Sequence, residues 1–361
     1  MLKAGGADLK LIGFRRSAAS IREVEGCEVV DLGATMDGAF VARVLSVASA
    51  RFRLAVLADA VQDSEVVLTR NLEMLYLGAA LRRRYAKRAA LVFECLDIHR
   101  LLLGRGLPSR LLRSLESNLM REVDLILTSS PRFISEYFRP RRFQRQIQVV
   151  ENKLLFPDTE TLARASRQLP AGPPWRVGWF GMLRCRRSFA ILAAVAREAA
   201  GLVEVSIAGR PSSKEFPDFD DLVRRSPHVS FSGPYRSDQL SNLYGEVHFS
   251  WAVDFFEQGL NSSWLLPNRI YESSYFGTVP IALDGVETAH WLEQRGIGVI
   301  LRGDPELELK GLLCRLVPER YRDLAAAVDR VPPSDIADTK DSCRQLVASL
   351  AVARNLAREG S

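Results

Sequence analysis

The chain has 361 residues, of which 47% are hydrophobic and 25% charged. This length favours two domains of ordinary size, and the composition is typical of a globular protein without low-complexity segments. The apolar runs stop short of the roughly 18–20 residues that a membrane-spanning helix requires, and no signal-peptide core follows the charged N-terminus. We therefore expect a cytoplasmic protein.

The five cysteines show no paired spacing, which predicts reduced thiols and argues against a zinc site. They are Cys27, Cys95, Cys185, Cys314 and Cys343.

The net charge of +6 is unevenly distributed. Residues 1–155 contain 25 Lys and Arg against 17 Asp and Glu, which gives +8, and the remainder contains 24 against 26, which gives −2. A basic half suggests an anionic partner such as nucleic acid or a membrane surface. No recognition-helix or RNA-binding motif supports nucleic acid, so we expect no nucleic-acid partner.

Residues 1–155 alternate strand-like apolar runs with helical patterns, which predicts an α/β domain with a parallel sheet. The predicted strands are Leu9–Phe14, Glu28–Leu32, Val66–Thr69, Ala89–Cys95, Leu125–Thr128 and Gln148–Val150. The predicted helices are Phe40–Ala50, Leu72–Tyr85, Pro108–Arg121 and Pro131–Phe138.

Residues 156–174 are rich in proline, which predicts a fairly stiff linker, and the α/β alternation then restarts over residues 175–334. The predicted strands there are Arg176–Phe180, Val203–Ala208, Val229–Phe231, Val247–Ala252, Val279–Leu283 and Gly298–Leu301. The predicted helices are Arg187–Glu198, Ser237–Leu243, Pro267–Phe276, Thr288–Gln294, Pro305–Val317 and, within residues 335–361, Asp335–Arg358.

The stretch Asp254–Leu283 carries the most specific pattern of the chain. A polar loop, Glu257–Ser263, precedes a helix whose first turn holds Pro267 and which Gly277 ends. A buried strand follows, and anionic ligands bind at helix N-termini in such units. The carboxylate of Glu272, on this helix, could accept hydrogen bonds from two ribose hydroxyls.

This stretch resembles the nucleotide-sugar-binding signature of GT-B glycosyltransferases, especially glycosyltransferase family 4 with its Glu-x7-Glu motif. Glu272–Ala282 is similar to the E-A-x-A-x-G-x-P-V-V-like run that opens with the second Glu of the motif, the residue that binds the donor ribose. Trp264 stands where the first Glu is expected. The segment Asn261–Arg269 looks like a subgroup that acts in bacterial exopolysaccharide assembly of the succinoglycan or xanthan type.

The resemblance implies an α/β GT-B fold, with two doubly wound Rossmann-like domains facing a cleft and a C-terminal helix packed back on the first domain. Met1–Gly6 looks like the end of the first helix of such a fold, so the first strand and helix are expected to be absent. The implied reaction moves a sugar from a UDP- or GDP-sugar to a saccharide acceptor. Such acceptors are commonly linked to polyprenyl diphosphate.

The turn after the strand Arg176–Phe180 is the implied diphosphate site, because Gly181 lets a ligand approach the backbone and arginine binds phosphate oxygens bidentately. Arg187 falls near the family's phosphate-binding Lys, with Arg184 as the alternative. The full set of implied donor-binding residues is Gly181, Arg184, Arg187, Gly209, Asn261, Ser262, Asn268, Arg269 and Glu272.

Asp97 and His99 follow the strand Ala89–Cys95, and the carboxyl ends of parallel strands face the ligand cleft of an open sheet. The resemblance implies that His99 contacts the donor sugar. Asp97 could instead act as a base toward the acceptor hydroxyl, if the reaction inverts the anomeric configuration.

No metal or cofactor is expected. The run Asp218–Asp221 mimics a DxD metal motif but suits the start of a helix, where acidic residues complement the dipole. A helix terminus and arginines can stabilise a leaving diphosphate instead.

Arg105, Arg110 and Arg113 are interleaved with leucines, a mixture that fits docking on an anionic membrane and contact with a lipid-linked acceptor. Runs of charged residues are, however, more often part of an ordinary solvent-exposed surface than of a membrane contact. The incomplete Glu-x7-Glu motif also leaves an alternative function open, a non-catalytic nucleotide-sugar-binding protein on a decayed GT-B scaffold.

Overall fold

In the computed structural model, which describes residues 1–15, 22–34, 54–159, 162 and 169–359, the chain divides into two compact units. Unit 1 comprises Met1–Glu151, Pro157–Glu160 and Thr339–Ser361, and unit 2 comprises Asn152–Phe156 and Thr161–Asp338. The C-terminal segment therefore belongs to the unit that contains the N-terminus. The helix predicted at Phe40–Ala50 lies outside the described residues.

The strands, numbered along the chain, are β1 Lys10–Arg15, β2 Glu23–Val24, β3 Cys27–Ala34, β4 Val66–Arg70, β5 Ala90–Cys95, β6 Leu125–Thr128, β7 Gln146–Val149, β8 Leu154–Phe156, β9 Trp175–Leu183, β10 Val203–Pro211, β11 Val229–Phe231, β12 Phe249–Trp251, β13 Val279–Leu283, β14 Val299–Leu301 and β15 Ala337–Thr339. The α-helices are α1 Ala58–Val61, α2 Leu72–Tyr85, α3 Arg100–Leu103, α4 Leu107–Met120, α5 Pro131–Phe133, α6 Arg186–Glu198, α7 Phe219–Arg224, α8 Leu240–Gly245, α9 Asn261–Trp264, α10 Asn268–Tyr275, α11 Glu287–Arg295, α12 Pro305–Arg315, α13 Pro318–Asp329, α14 Pro333–Ile336 and α15 Lys340–Glu359. A π-helical turn, Ile134–Phe138, follows α5, and 3-10 turns occur at Leu54–Leu57, Arg139–Arg141 and Ser237–Gln239.

The described part of unit 1 contains two sheets, one of strands β1-β3-β2 and one of strands β4-β5-β6-β7. The second sheet is parallel throughout, as the sequence predicts. In the first sheet, β2 runs antiparallel to β3. The sequence does not predict β2, because two residues are too few to show the alternation of apolar and polar side chains that marks a strand. Leu346, Leu350 and Ala353 of α15 are buried against β5 and β6, so the C-terminal helix forms part of the core of unit 1.

Unit 2 is built on one parallel sheet of six strands in the order β11-β10-β9-β12-β13-β14. From β9 the chain first adds β10 and β11 on one side and then β12 to β14 on the other. The reversal creates a switch point between β9 and β12, where ligands of open α/β sheets bind at the carboxyl ends of the strands. Trp175, Trp179 and Trp251 are buried in the core around these two strands.

Several predicted boundaries are wrong. The single helix expected over Asp335–Arg358 is instead the short helix α14, strand β15 and then α15, because β15 pairs with β8 and this tertiary pairing overrides the local helical pattern. Phe156, predicted to open the linker, ends β8. Pro267 precedes α10 as its cap residue, with extended ψ of 145°, rather than lying in its first turn.

Candidate functional site

The carboxyl ends of β9 and β10 come into unusually close contact. Gly181 and Gly209 are register partners, both with positive φ (112° and 139°), and a Cβ added to Gly209 would lie 1.8 Å from the Gly181 carbonyl oxygen. The Gly209 amide also donates to the carbonyl oxygen of Gly233, at 2.8 Å. Glycine is required at position 209, because a side chain there would overlap the neighbouring strand, whereas a Cβ on Gly181 would meet only the Tyr235 hydroxyl, at 3.8 Å.

Glu272 lies on α10 and accepts a hydrogen bond from the Tyr244 hydroxyl of α8, at 2.7 Å. Burial raises the pKa of the Glu272 carboxyl, while the hydrogen bond from Tyr244 and the positive charge of Arg269 act in the opposite direction. The carboxyl group is therefore fixed in place and poorly solvated. It retains lone pairs for the hydroxyl donors of a ligand.

Tyr235 and Arg269 complete the surroundings of Glu272. Burial, and then the negative charge of Glu272, raise the pKa of Tyr235 to about 12, so its hydroxyl stays protonated as a donor. Arg269 is held by a hydrogen bond from Nη1 to the Trp251 carbonyl oxygen at 3.0 Å. A carboxyl group, two phenols and a guanidinium thus lie together near Gly181, where an added Cβ would lie 3.8 Å from the Tyr235 hydroxyl. Gly181 itself lies within β9, which continues to Leu183, so the turn predicted directly after Phe180 is wrong.

The arginines after β9 have different partners. Arg184 donates to the Asp254 carboxylate at 3.0 Å and lies over the Phe256 ring at 4.9 Å. Arg187 is exposed and lies 4.3 Å from the centre of the Phe255 ring. Because α6 begins at Arg186, both residues lie within two positions of a helix N-terminus, where the dipole favours an anion.

The loop before α10 is held by its own side chains. The Asn261 amide donates to the Glu257 carboxylate at 2.8 Å, and the Ser262 hydroxyl accepts from the Glu257 backbone amide at 3.1 Å. Asn261 and Ser262 are buried, whereas Asn268 is exposed at the first residue of α10. Asn261 and Ser262, which the sequence predicts to bind the donor, therefore also stabilise the loop.

Asp97 and His99 lie in unit 1, directly after β5. Asp97 is exposed, and His99 caps α3 by accepting a hydrogen bond at Nδ1 from the Leu101 amide, at 3.3 Å. This bond places the proton of the neutral imidazole on Nε2.

The three arginines predicted to contact a membrane or acceptor lie on or just before α4, also in unit 1. Arg105 and Arg110 are exposed, whereas Arg113 donates from Nη1 to the carbonyl oxygens of Leu102 (3.1 Å) and Gly104 (2.5 Å). Arg113 therefore also ties α3 to α4.

Sequence reasoning missed Tyr244 and Asp254. Tyr244 falls one residue beyond the helix predicted at Ser237–Leu243, and no short motif marks either residue. Their roles come from partners distant in the chain, Glu272 and Arg184.

Within the residues that the structure describes, no three His, Cys, Asp or Glu side chains cluster as a metal site. Asp218 instead pairs with Arg186, at 2.9 Å, before α7. No described helix is both long and apolar enough to cross a membrane.

No protein-family model matches the chain. The succinoglycan biosynthesis protein ExoL of Rhizobium meliloti (strain 1021) is 42% identical to it over 355 residues, which cover 97% of this chain and 88% of that protein. Sucrose-phosphate synthase of Thermosynechococcus elongatus has a similar structure, with a TM-score of 0.67 and 12% identity over 99% of this chain and 90% of that one. Anabaena HepE, in complex with UDP and glucose, has a TM-score of 0.60 and 15% identity over 90% and 86% of the two chains.

Proposed function

The chain belongs to the family of the succinoglycan biosynthesis protein ExoL, and from this premise we propose that it is a GT-B glycosyltransferase of exopolysaccharide assembly. It transfers a sugar from a nucleotide-sugar donor, bound by unit 2, to a saccharide acceptor. The observation that carries the proposal is Glu272, fixed by Tyr244 near Gly181 of β9, the strand that borders the switch point of the sheet. The complex of HepE with UDP supports UDP as the nucleotide.

Each donor group has a matching part of unit 2. Glu272 accepts hydrogen bonds from the ribose hydroxyls, and the backbone at Gly181 and Gly209 admits the diphosphate. Arg187, with Arg184 and the N-terminus of α6, stabilises the negative charge of the leaving diphosphate. The polar side chains around the start of α10 bind the rest of the donor; they are Asn261, Ser262, Asn268 and Arg269.

Two side chains of unit 1 are assigned to the reaction itself. His99, at the end of β5, contacts the transferred sugar. Asp97 is exposed at the end of β5 and acts as the base if the reaction inverts the anomeric configuration.

Unit 1 also carries the proposed membrane contact. Leu107, Leu111 and Leu115 of α4 are 71%, 72% and 38% exposed and recur every four residues, so they form one apolar row beside Arg105 and Arg110. Such a row inserts into an anionic bilayer at the cytoplasmic face of the inner membrane, where lipid-linked acceptors are available.

The test of this contact is sedimentation with phosphatidylglycerol vesicles. Leu111→Asp should abolish co-sedimentation, whereas Val352→Asp, at another exposed apolar residue of unit 1, on α15, should not. Equal loss in both variants would refute the membrane contact.

The test of the function is calorimetric titration with UDP- and GDP-sugars, followed by release of the nucleotide in the presence of membrane-extracted acceptor. Glu272→Ala should abolish micromolar donor binding, and Glu246→Ala, an exposed carboxylate of the same unit, should leave it unchanged. Donor binding without turnover on any acceptor would favour the non-catalytic alternative. No binding by the wild type would refute the proposal.

A further inference from the structure

Arg184 and Asp254 form an ion pair at the switch point of the sheet in unit 2. Arg184 directly follows β9, Asp254 lies in the loop that follows β12, and these two strands are neighbours in the sheet. Nη2 of Arg184 donates to Oδ2 of Asp254 at 3.0 Å, and the side chain of Asp254 is only 11% exposed. A carboxylate therefore lies at the edge of the sheet where the ligands of open α/β folds bind.

This carboxylate is unfavourable beside a bound diphosphate. Like charges repel each other strongly where little water screens them, as is the case around the Asp254 side chain. Its negative charge also occupies Arg184, whose guanidinium could otherwise bind phosphate oxygens through two parallel hydrogen bonds. The side chain of Arg184 is 37% exposed, so its guanidinium has room to turn from one anion to another.

The same loop places an aromatic ring against each of two guanidinium groups. Phe256 lies 4.9 Å from the guanidinium of Arg184, and Phe255 lies 4.3 Å from that of Arg187. We call Phe255–Phe256 the aromatic segment. Oδ1 of Asp254 accepts a hydrogen bond from the Phe256 amide at 2.9 Å, so one carboxylate holds both Arg184 and the aromatic segment.

The aromatic segment can leave the arginines without unfolding the loop. On one side, the buried Val253 is anchored, because its carbonyl oxygen accepts a hydrogen bond from the Ser188 hydroxyl at 3.4 Å. On the other side, the Asn261 amide donates to the Glu257 carboxylate at 2.8 Å. Cation–π contacts at exposed sites are weak, so the ion pair is the main interaction that a ligand has to replace.

We propose that Asp254 is a displaceable counter-ion of Arg184: the donor diphosphate takes over the guanidinium, and the aromatic segment moves away from both arginines in the same step. A diphosphate carries more negative charge than a carboxylate and matches the guanidinium bidentately, which favours the exchange. After sugar transfer, Asp254 regains Arg184 and assists the release of the nucleoside diphosphate. The proposal rests on the proposed function and makes Asp254 a positioning residue, which acts through Arg184.

The experiment is calorimetric titration of the wild type and Asp254→Asn with UDP and UDP-glucose. The asparagine keeps the oxygen that accepts from the Phe256 amide and places an NH₂ group opposite Arg184, so it breaks the ion pair and preserves the turn. Both ligands should bind about fivefold more tightly to the variant, the upper end for a partly exposed ion pair.

Two controls test whether this gain is specific. In an Arg184→Ala background, Asp254→Asn should change UDP affinity less than about twofold, because the gain requires the guanidinium. The matched control Asp218→Asn frees the neighbouring Arg186 from its own carboxylate and should also change UDP affinity less than about twofold.

A comparable gain in either control would overturn the proposal, because removal of any negative charge would then suffice. Weaker UDP binding by Asp254→Asn would also overturn it, and weaker binding of UDP-glucose alone would make Asp254 a ligand of the sugar instead. UDP binding by the wild type without a gain in Asp254→Asn refutes the exchange alone. If neither protein binds UDP or UDP-glucose, the proposed function is refuted and the exchange with it.

Discussion

The hydroxyl of Tyr244 lies 2.7 Å from Oε2 of Glu272, and this hydrogen bond joins α8 to α10 at the candidate donor site. Burial raises the pKa of both groups, and the negative charge of Glu272 raises that of Tyr244 further. Hydrogen bonds are strong in such poorly solvated surroundings. Tyr244 therefore sets the direction in which Glu272 presents its carboxyl group.

Tyr244→Phe removes this bond and keeps the ring that stacks on Phe276. Binding of UDP-glucose should weaken about 10-fold, the effect of losing one hydrogen bond to a charged group. In a Glu272→Gln background the same substitution should weaken UDP-glucose binding clearly less, because the charged partner is gone. Calorimetry on the four proteins measures the difference; an identical loss in both backgrounds would show that Tyr244 acts independently of Glu272.

Gly209→Ala should be strongly destabilising. The new Cβ would meet the Gly181 carbonyl oxygen at 1.8 Å, and φ is +139°. We expect the free energy of unfolding to fall by roughly 3 kcal/mol or more, from overpacking and backbone strain together. Gly201→Ala is the control, since its φ is +80° but nothing lies within 4 Å, and it should cost about 1 kcal/mol. Equal urea-unfolding midpoints for the two variants would contradict the close approach of β9 and β10.

Arg186 and Arg187 are adjacent and both exposed, yet their guanidinium groups differ in surroundings. Arg186 is bound to Asp218 by two hydrogen bonds of 2.9 and 3.1 Å, whereas Arg187 lies over the Phe255 ring. Arg187→Ala should therefore weaken UDP-glucose binding about 10-fold, and Arg186→Ala less than twofold. Calorimetric titration of both variants with UDP-glucose measures the two affinities. If Arg186→Ala has the larger effect, the choice of Arg187 as the phosphate ligand is wrong.

The sequence-based assignment to the exopolysaccharide-type GT-B glycosyltransferases is confirmed by the relationship to ExoL and by the fold of the structural neighbours. The residues on which this assignment rests lie in α10, at Gly277 after the helix, and in β13. Their signals are local: a glycine that ends the helix and a short apolar strand; only Pro267, expected in the first turn of the helix, lies just before it instead. Local signals of this kind survive folding, and β13 begins and ends where predicted.

The contacts that shape the site were not predictable in the same way. Tyr244 and Glu272 are 28 residues apart, and Arg184 and Asp254 are 70 apart. Neither pair has a characteristic spacing, because the sheet order and not the chain brings them together. The strand β15 was missed for a related reason, since its partner β8 lies far back in the sequence.

Glu116 makes stability depend on pH. Burial raises the pKa of its carboxyl from 4.5 to about 7, against the opposing effects of the Tyr137 hydrogen bond and the charges of Arg141 and Arg113; Cys95 also lies nearby. The folded state therefore binds more protons than the unfolded state between these two pH values. The stabilisation is complete below pH 4.5 and is lost as the pH rises to about 7, by roughly 3 kcal/mol.

Glu116→Gln should remove this contribution, since the amide keeps the size of the side chain and cannot ionise. We expect the wild type to lose about 2.5 kcal/mol more unfolding free energy than the variant between pH 5 and pH 8 in urea titrations. Comparing the two proteins cancels the contributions that the other titrating groups, including Glu272, make to the pH dependence of stability. Glu136→Gln, an exposed carboxylate 4.0 Å from Arg132 in the segment that follows α5, should behave like the wild type. Parallel pH dependence in wild type and Glu116→Gln would show that Glu116 is ionised throughout, and that its charge is stabilised by Arg113 and Arg141 more than burial opposes it.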